Sequence, residues 1–251
     1  MAEFERPPEI RDQVILFDGD AMVYRIGFAA EDYDEVNCLI LIRQYLDLQM
    51  RVLRSTKYRG FVTCNQTRNF REQVAVTAPY KGNRDHTKRP RHYELVREYL
   101  KTEWGFQALP DAEADDGIAI AATELRDGAV ICAIDKDFLQ VPGWNYNPNN
   151  GNFKYVSEEA GRRFFYTQIL TGDTSDNIIG IRGIGPVKAG RILAKAVTDD
   201  EMWTEVLRAF HEHHLPPERA IENGRLLHLQ RSPGELWEPP FEKLPTWILP
   251  G

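Results

Sequence analysis

Val14-Ile15-Leu16-Phe17 is a continuous apolar run that stops on Asp18-Gly19-Asp20. Four apolar residues in a row have no polar face to turn to water, so the run fits a strand covered on both sides, as in a parallel sheet between helix layers. Leu39, Ile40, Ile42, Leu46, Met50 and Leu53 then recur at mixed three- and four-residue spacing. That spacing predicts a helix over 36–53 returning to a second strand near 60–64. A helix over 115–125 leads to a third strand over 129–134, which also ends on acids, Asp135-Lys136-Asp137. The expected fold class is α/β, a central, mostly parallel sheet flanked by helices.

In an open α/β sheet, ligands bind outside the carboxyl ends of the strands, so acids placed there point into a site by topology. Glu113, Asp115 and Asp116 open the helix before the third strand. A first helical turn favours an acid by ~0.3–1 kcal/mol, which accounts for any one of them. Three within four residues repel one another unless a cation joins them. Asp135 and Asp137 also suit a plain capping turn. Asp173 and Asp176 form a further acidic group in Thr171-Gly172-Asp173-Thr174-Ser175-Asp176-Asn177.

The net charge of −7 argues against a protein that coats nucleic acid through its overall charge. The distribution is uneven, however. Lys81 to Arg97 holds six basic and two acidic residues, and Asn177 to Thr198 holds Arg182, Lys188, Arg191 and Lys195 with no acid. The second window is Gly-rich from Gly180 to Gly190, with Pro186 at a favoured first-turn position. Backbone N–H groups at such a helix start, with Lys188 and Arg191, make a phosphate cradle. The same glycines also suit a simple connector between helices, but the missing acids favour phosphate.

Cys38, Cys64 and Cys132 show no ligand or CxxC spacing and read as buried thiols in a reducing cytoplasm. No apolar run approaches the ~20 residues of a membrane span. Glu3 and Glu5 stand where a secretory signal carries positive charge, so a cytoplasmic protein without a membrane partner is expected. His86, His92 and the His211/His213/His214 group are of a type that can bind metal, but the last group lies in a polar helical stretch and reads as a solvated face.

Taken in order, the motifs are Asp-Gly after the first strand, Tyr80-Lys81-Gly82-Asn83-Arg84, Glu113-Ala-Asp115-Asp116, Asp135-Lys-Asp137, Gly172-Asp173-x-x-Asp176-Asn177 and Gly183-Ile-Gly185-Pro186. This ordered set, over residues 14 to about 193, resembles the structure-specific 5′ nuclease superfamily. That superfamily includes flap endonucleases and the 5′-nuclease domains of bacterial DNA polymerases. The stretch from Tyr80 to Pro90 looks most like phage-encoded 5′→3′ exonucleases. The resemblance implies a PIN-like nuclease core over 1–156 with a short basic arch at about 80–110. It further implies a helical lobe over 157–232 with a helix-hairpin-helix-type motif at about 173–195, and a Pro-rich strap over 233–251. It implies two Mg²⁺ or Mn²⁺ ions held by Asp18, Glu113, Asp115, Asp116, Asp135, Asp137, Asp173 and Asp176, with room for K⁺ at the helix-hairpin-helix turn. Hard oxygen donors without a His/Cys pair agree with such ions rather than zinc. Lys81 and Arg84 become the cations facing the scissile phosphate. Tyr80, Lys88, Arg89, Arg91, Arg182, Gly183, Gly185, Lys188 and Arg191 become DNA contacts.

Two features depart from the pattern. Only 32 residues separate Lys81 from Glu113, short for an arch that threads a flap. Asp20 stands where relatives have an uncharged residue, either as a further ligand or as the cap of a helix starting at Ala21. The expected function is metal-dependent 5′→3′ hydrolysis of duplex DNA from a 5′ end in phage replication or recombination, with RNA–DNA hybrids or flaps as side substrates. A single-strand-binding or replication protein is the expected partner. A PIN-like ribonuclease and a non-catalytic DNA-end-binding protein are the alternatives.

Overall fold

The computed structural model describes residues 10–84 and 88–241, and these form two compact units. In chain order the helices are α1 (Gly19–Ala29), α2 (Glu35–Leu53), α3 (Phe70–Val74), α4 (Tyr93–Thr102), α5 (Ala114–Leu125), α6 (Glu158–Thr171), α7 (Pro186–Ile192), α8 (Asp199–Glu212) and α9 (Pro217–Leu227).

In the first unit, β1 (Val14–Asp18), β2 (Tyr58–Phe61), β3 (Ala129–Cys132), β4 (Gly143–Asn147) and β5 (Asn152–Val156) form one sheet in the order β2-β1-β3-β4-β5. Ile15 pairs with Tyr58 on one side and Val130 on the other, both parallel, and β3 pairs parallel with β4. Only β5 runs antiparallel, as the return of a hairpin. Ile15, Leu16 and Phe17 are 0–1% exposed, so the apolar run is covered on both faces and each side chain contributes roughly 1.5–3 kcal/mol through burial. The second strand ends at Phe61 because the chain then turns to a new partner: Val62 N–H donates to the Gln107 carbonyl at 2.9 Å. Helix α2 starts where Asp34 accepts the Asn37 N–H at 2.8 Å, and ends where Arg54 turns left-handed.

The second unit packs α6, α8 and α9 around Tyr166, Ile169, Trp203 and Phe210, all at most 1% exposed. Two short strands, β6 (Gly172–Asp173) and β7 (Ile178–Ile179), pair antiparallel between α6 and α7. Gly172 is left-handed at φ +66°, and a Cβ there would lie 2.3 Å from the Ile178 carbonyl, so only glycine fits this crossing. Trp237 stacks edge-on against Trp203 at 5.5 Å and lies over Gly224. The rest of the Pro-rich tail, 242–251, lies outside the described residues.

The division of the chain differs from boundaries at 156/157 and 232/233. Residues 69–84 belong to the second unit and 231–234 to the first. The reason is polar. Buried Arg71 donates to the carbonyls of Leu226 and His228, and Glu222 accepts the N–H groups of Val76 and Thr77. The expected arch over 80–110 is therefore not one element. Residues 80–84 belong to the second unit, 85–87 lie outside the described residues, and α4 buries Val96, Arg97 and Leu100 in the first.

Candidate active site

β2 lies on one side of β1 and β3 on the other, so the carboxyl ends of β1 and β3 flank the point where strand order reverses. Asp18 closes β1 and Asp135 follows β3. Asp18 is 8% exposed, and its Oδ1 caps α1 by accepting the Ala21 N–H at 2.9 Å. Burial pushes its carboxyl up to about 7, and the like charges of Asp20 and Asp135 push the same way. A buried carboxylate crowded by two others is suited to a cation, and hard oxygen donors suit Mg²⁺ or Mn²⁺.

Gly19 is dictated by the fold, since a Cβ there would sit 2.5 Å from the Phe61 carbonyl. Helix α1 begins at Gly19 rather than Ala21, so Asp18 is the cap and Asp20 is not. Asp20 instead accepts the Thr63 N–H at 3.1 Å and pairs with Arg97 at 3.0 Å. At the start of α5, Asp116 is fully buried and reaches back to the Glu113 N–H at 3.0 Å, while Glu113 and Asp115 are half-buried. Asp135 is exposed and caps the following 3₁₀ turn by accepting the Asp137 N–H; Asp137 is half-buried. Among the described residues, no three His, Cys, Asp or Glu side chains stand close enough to ligate one ion.

In the second unit, two motifs about 90 residues apart in sequence clasp each other. The Lys81 N–H donates to the Asp176 carbonyl at 2.9 Å, Asn83 Nδ2 to the Thr174 carbonyl at 2.7 Å, and Asn177 Nδ2 to the Pro79 carbonyl at 2.9 Å. The Asp176 carboxylate receives the Tyr80 hydroxyl at 2.9 Å and Arg84 Nη2 at 2.5 Å, with Lys81 Nζ 3.9 Å away. Asp173 is 4% exposed and accepts both the N–H and the hydroxyl of Ser175. Tyr80, Lys81 and Arg84 thus share one carboxylate, a pairing that spacing alone did not reveal.

Arg182, Gly183, Gly185, Lys188 and Arg191 are all exposed along the turn and α7, and Gly183 is left-handed at φ +81°. Lys88, Arg89 and Arg91 are exposed as well, with Arg89 lying over the Tyr93 ring at 4.6 Å. His92 is buried against the Tyr33 carbonyl, whereas His211, His213 and His214 are exposed. His86 is outside the described residues. Cys38 and Cys132 are buried, but Cys64 is half-exposed, and hydrogen bonds from Thr67 and Gln66 lower its thiol. Sequence reading missed Arg97 and Thr63, because Arg97 counted there only as one charge of a basic window.

A family model described as the 5′-3′ exonuclease N-terminal resolvase-like domain matches residues 13–160. A DNA polymerase I of Deinococcus radiodurans is 28% identical over 237 residues, which is 87% of this chain but 24% of the polymerase. The chain therefore spans about a quarter of that relative. A 5′-3′ exonuclease of Mycoplasma genitalium is 27% identical over 218 residues, 76% of this chain and 75% of the relative. An exonuclease of Escherichia phage T7 is 27% identical over 192 residues, 68% and 64% of the two chains. The T5 D15 protein, co-crystallised with metal ions, has a similar fold, with a TM-score of 0.63 at 17% identity over 86% of this chain and 89% of its own.

Proposed function

The chain belongs to the 5′-3′ exonuclease family, and on that premise we propose that it hydrolyses phosphodiester bonds of duplex DNA from a 5′ end, using divalent ions. The observation that carries this reading is the placement of Asp18, buried and pressed by Asp20 and Asp135, where strand order reverses. Asp18, Glu113, Asp115, Asp116, Asp135 and Asp137 of the first unit are the proposed ligands, directly or through water. Asp173 and Asp176 of the second are proposed as ligands as well. Bound divalent ions would supply an activated water and charge stabilisation at the phosphate.

The side chains supply the rest. Lys81 and Arg84, held on Asp176, are proposed to exchange that carboxylate for phosphate oxygens, and Tyr80 to stack on a terminal base. The exposed cations Arg182, Lys188 and Arg191 grip the duplex backbone without reading sequence. The similarity to exonucleases that include a phage T7 protein supports a place in phage DNA replication or recombination.

The test is digestion of a 5′-labelled duplex with and without Mg²⁺. Release of 5′ nucleotides that stops in excess chelator is expected, and undiminished cleavage in chelator would falsify the reading. Lys81→Ala and Arg84→Ala are each expected to slow the chemical step by ~10²–10³ under single-turnover conditions, the cost of removing one preorganised donor. Normal single-turnover rates in both variants would reduce these residues to binding contacts.

A further inference from the structure

Lys81 and Asn177 are both left-handed, at φ +54° and +59°, and they lie in opposite halves of the clasp between 79–84 and 174–177. A residue with a Cβ keeps that conformation where its surroundings over-determine it. Four hydrogen bonds do so here. The Pro79 carbonyl accepts the Gly82 N–H at 3.0 Å and Asn177 Nδ2 at 2.9 Å, the Lys81 N–H donates to the Asp176 carbonyl at 2.9 Å, and Asn83 Nδ2 donates to the Thr174 carbonyl at 2.7 Å. The two asparagines are reciprocal, each sending its amide to a main-chain carbonyl in the other half. The cationic side chains bond differently, since Arg84 and Lys81 both lean on the Asp176 carboxylate, and Arg84 Nε reaches the Ser175 carbonyl at 3.3 Å as well. Charge-assisted pairs can be exchanged one for another when a phosphate arrives. The neutral pairs join one stretch of main chain to the other and need not move.

We propose that Asn83 and Asn177 are positioning residues for the chemical step: their amides hold 79–84 on 174–177, so that Lys81 and Arg84 keep their place after letting go of Asp176. Asn177 fixes Pro79, two residues before Lys81, and Asn83 immediately precedes Arg84. Each asparagine therefore sets the nearer cation. Without the Asn177 bond, the turn that keeps Lys81 left-handed loses an anchor, and its main chain can relax to a more populated conformation that carries Nζ away. A misplacement of ~1 Å can slow a catalytic step about 10²-fold. The inference rests on the reading of Lys81 and Arg84 as the cations that meet the scissile phosphate, and extends it to two neutral residues that need touch neither phosphate nor ion.

The experiment is a pair of double-mutant cycles on the full chain, read as single-turnover cleavage of a 5′-labelled duplex in Mg²⁺ at saturating enzyme. Asn177→Gly removes the amide and keeps the left-handed backbone, which glycine adopts readily. Asn83→Ala removes the other amide. Each is expected to slow the chemical step about 10-fold or more, with duplex affinity in Ca²⁺ little changed. In the Lys81→Ala background Asn177→Gly is expected to slow it less than about 3-fold, and likewise Asn83→Ala in the Arg84→Ala background, because residues that act through one another are non-additive. Trypsin supplies a readout independent of catalysis: cleavage after Lys81 and Arg84, followed by mass spectrometry, is expected to be faster in both asparagine variants than in the wild type. Wild-type single-turnover rates in both asparagine variants, full additivity in both cycles, or unchanged tryptic rates overturns the positioning role. If Lys81→Ala and Arg84→Ala themselves cleave at the wild-type rate, the reading of the two cations fails instead, and the inference with it.

Discussion

Asp18 caps α1 through Oδ1 while its carboxyl is buried beside Asp20 and Asp135. Its folded value is raised from 3.8 to about 7. The stability tied to its bound proton is therefore full below 3.8 and lost as pH rises through about 7. Asn caps a helix about as well as Asp but has no charge to bury. In chelator, Asp18→Asn is expected to raise the melting temperature little near pH ~5 and by several degrees near pH ~8. Scanning calorimetry at both pH values checks this, and a gain independent of pH would remove the buried charge as its cause. The place of Asp18 was legible because an apolar run points at it. The role of Asp20 was not, since its partner Arg97 lies 77 residues away and no local pattern links them.

At the level of elements, hydrophobic spacing marked α2, and apolar runs marked β1 and β3, because those signals are local. Strand ends were less legible. β2 stops at Phe61 because of the Gln107 carbonyl, a partner that spacing does not show. The clasp between 79–84 and 174–177 was invisible for the same reason, although both motifs were recognised separately. Helix α7 carries a prediction of its own. Lys188 is exposed, on a segment without acids, so Lys188→Ala is expected to weaken duplex binding and make the salt dependence shallower by about one phosphate contact. Equilibrium binding over a salt series in Ca²⁺, on duplex and single-stranded DNA, measures this. Equal losses on the two substrates would deny α7 a part in duplex recognition.

Across the whole molecule, the chain passes between the two units repeatedly, at 68/69, between 84 and 88, at 157/158, at 230/231 and at 234/235. A sequence boundary is therefore not a structural one. The family match ends at residue 160, yet it contains 69–84, whose partners lie beyond it. A chain ending at residue 157 keeps all five strands of the main sheet but leaves Arg71 without Leu226 and His228. Trypsin is expected to cut after Arg71 far faster in that shortened chain than in the full one, as followed by mass spectrometry. Equal rates would mean that the first unit alone holds the segment. The same interlacing sets a timetable for a newborn chain. Arg71 is separated from Leu226 by 155 residues, and ribosomes add ~5–20 residues per second. For roughly 8–30 s of each round of synthesis, a guanidinium destined for the interior therefore waits for the Leu226 and His228 carbonyls that receive it in the folded chain, and this interval is when a chaperone that binds cationic, apolar segments would find its substrate.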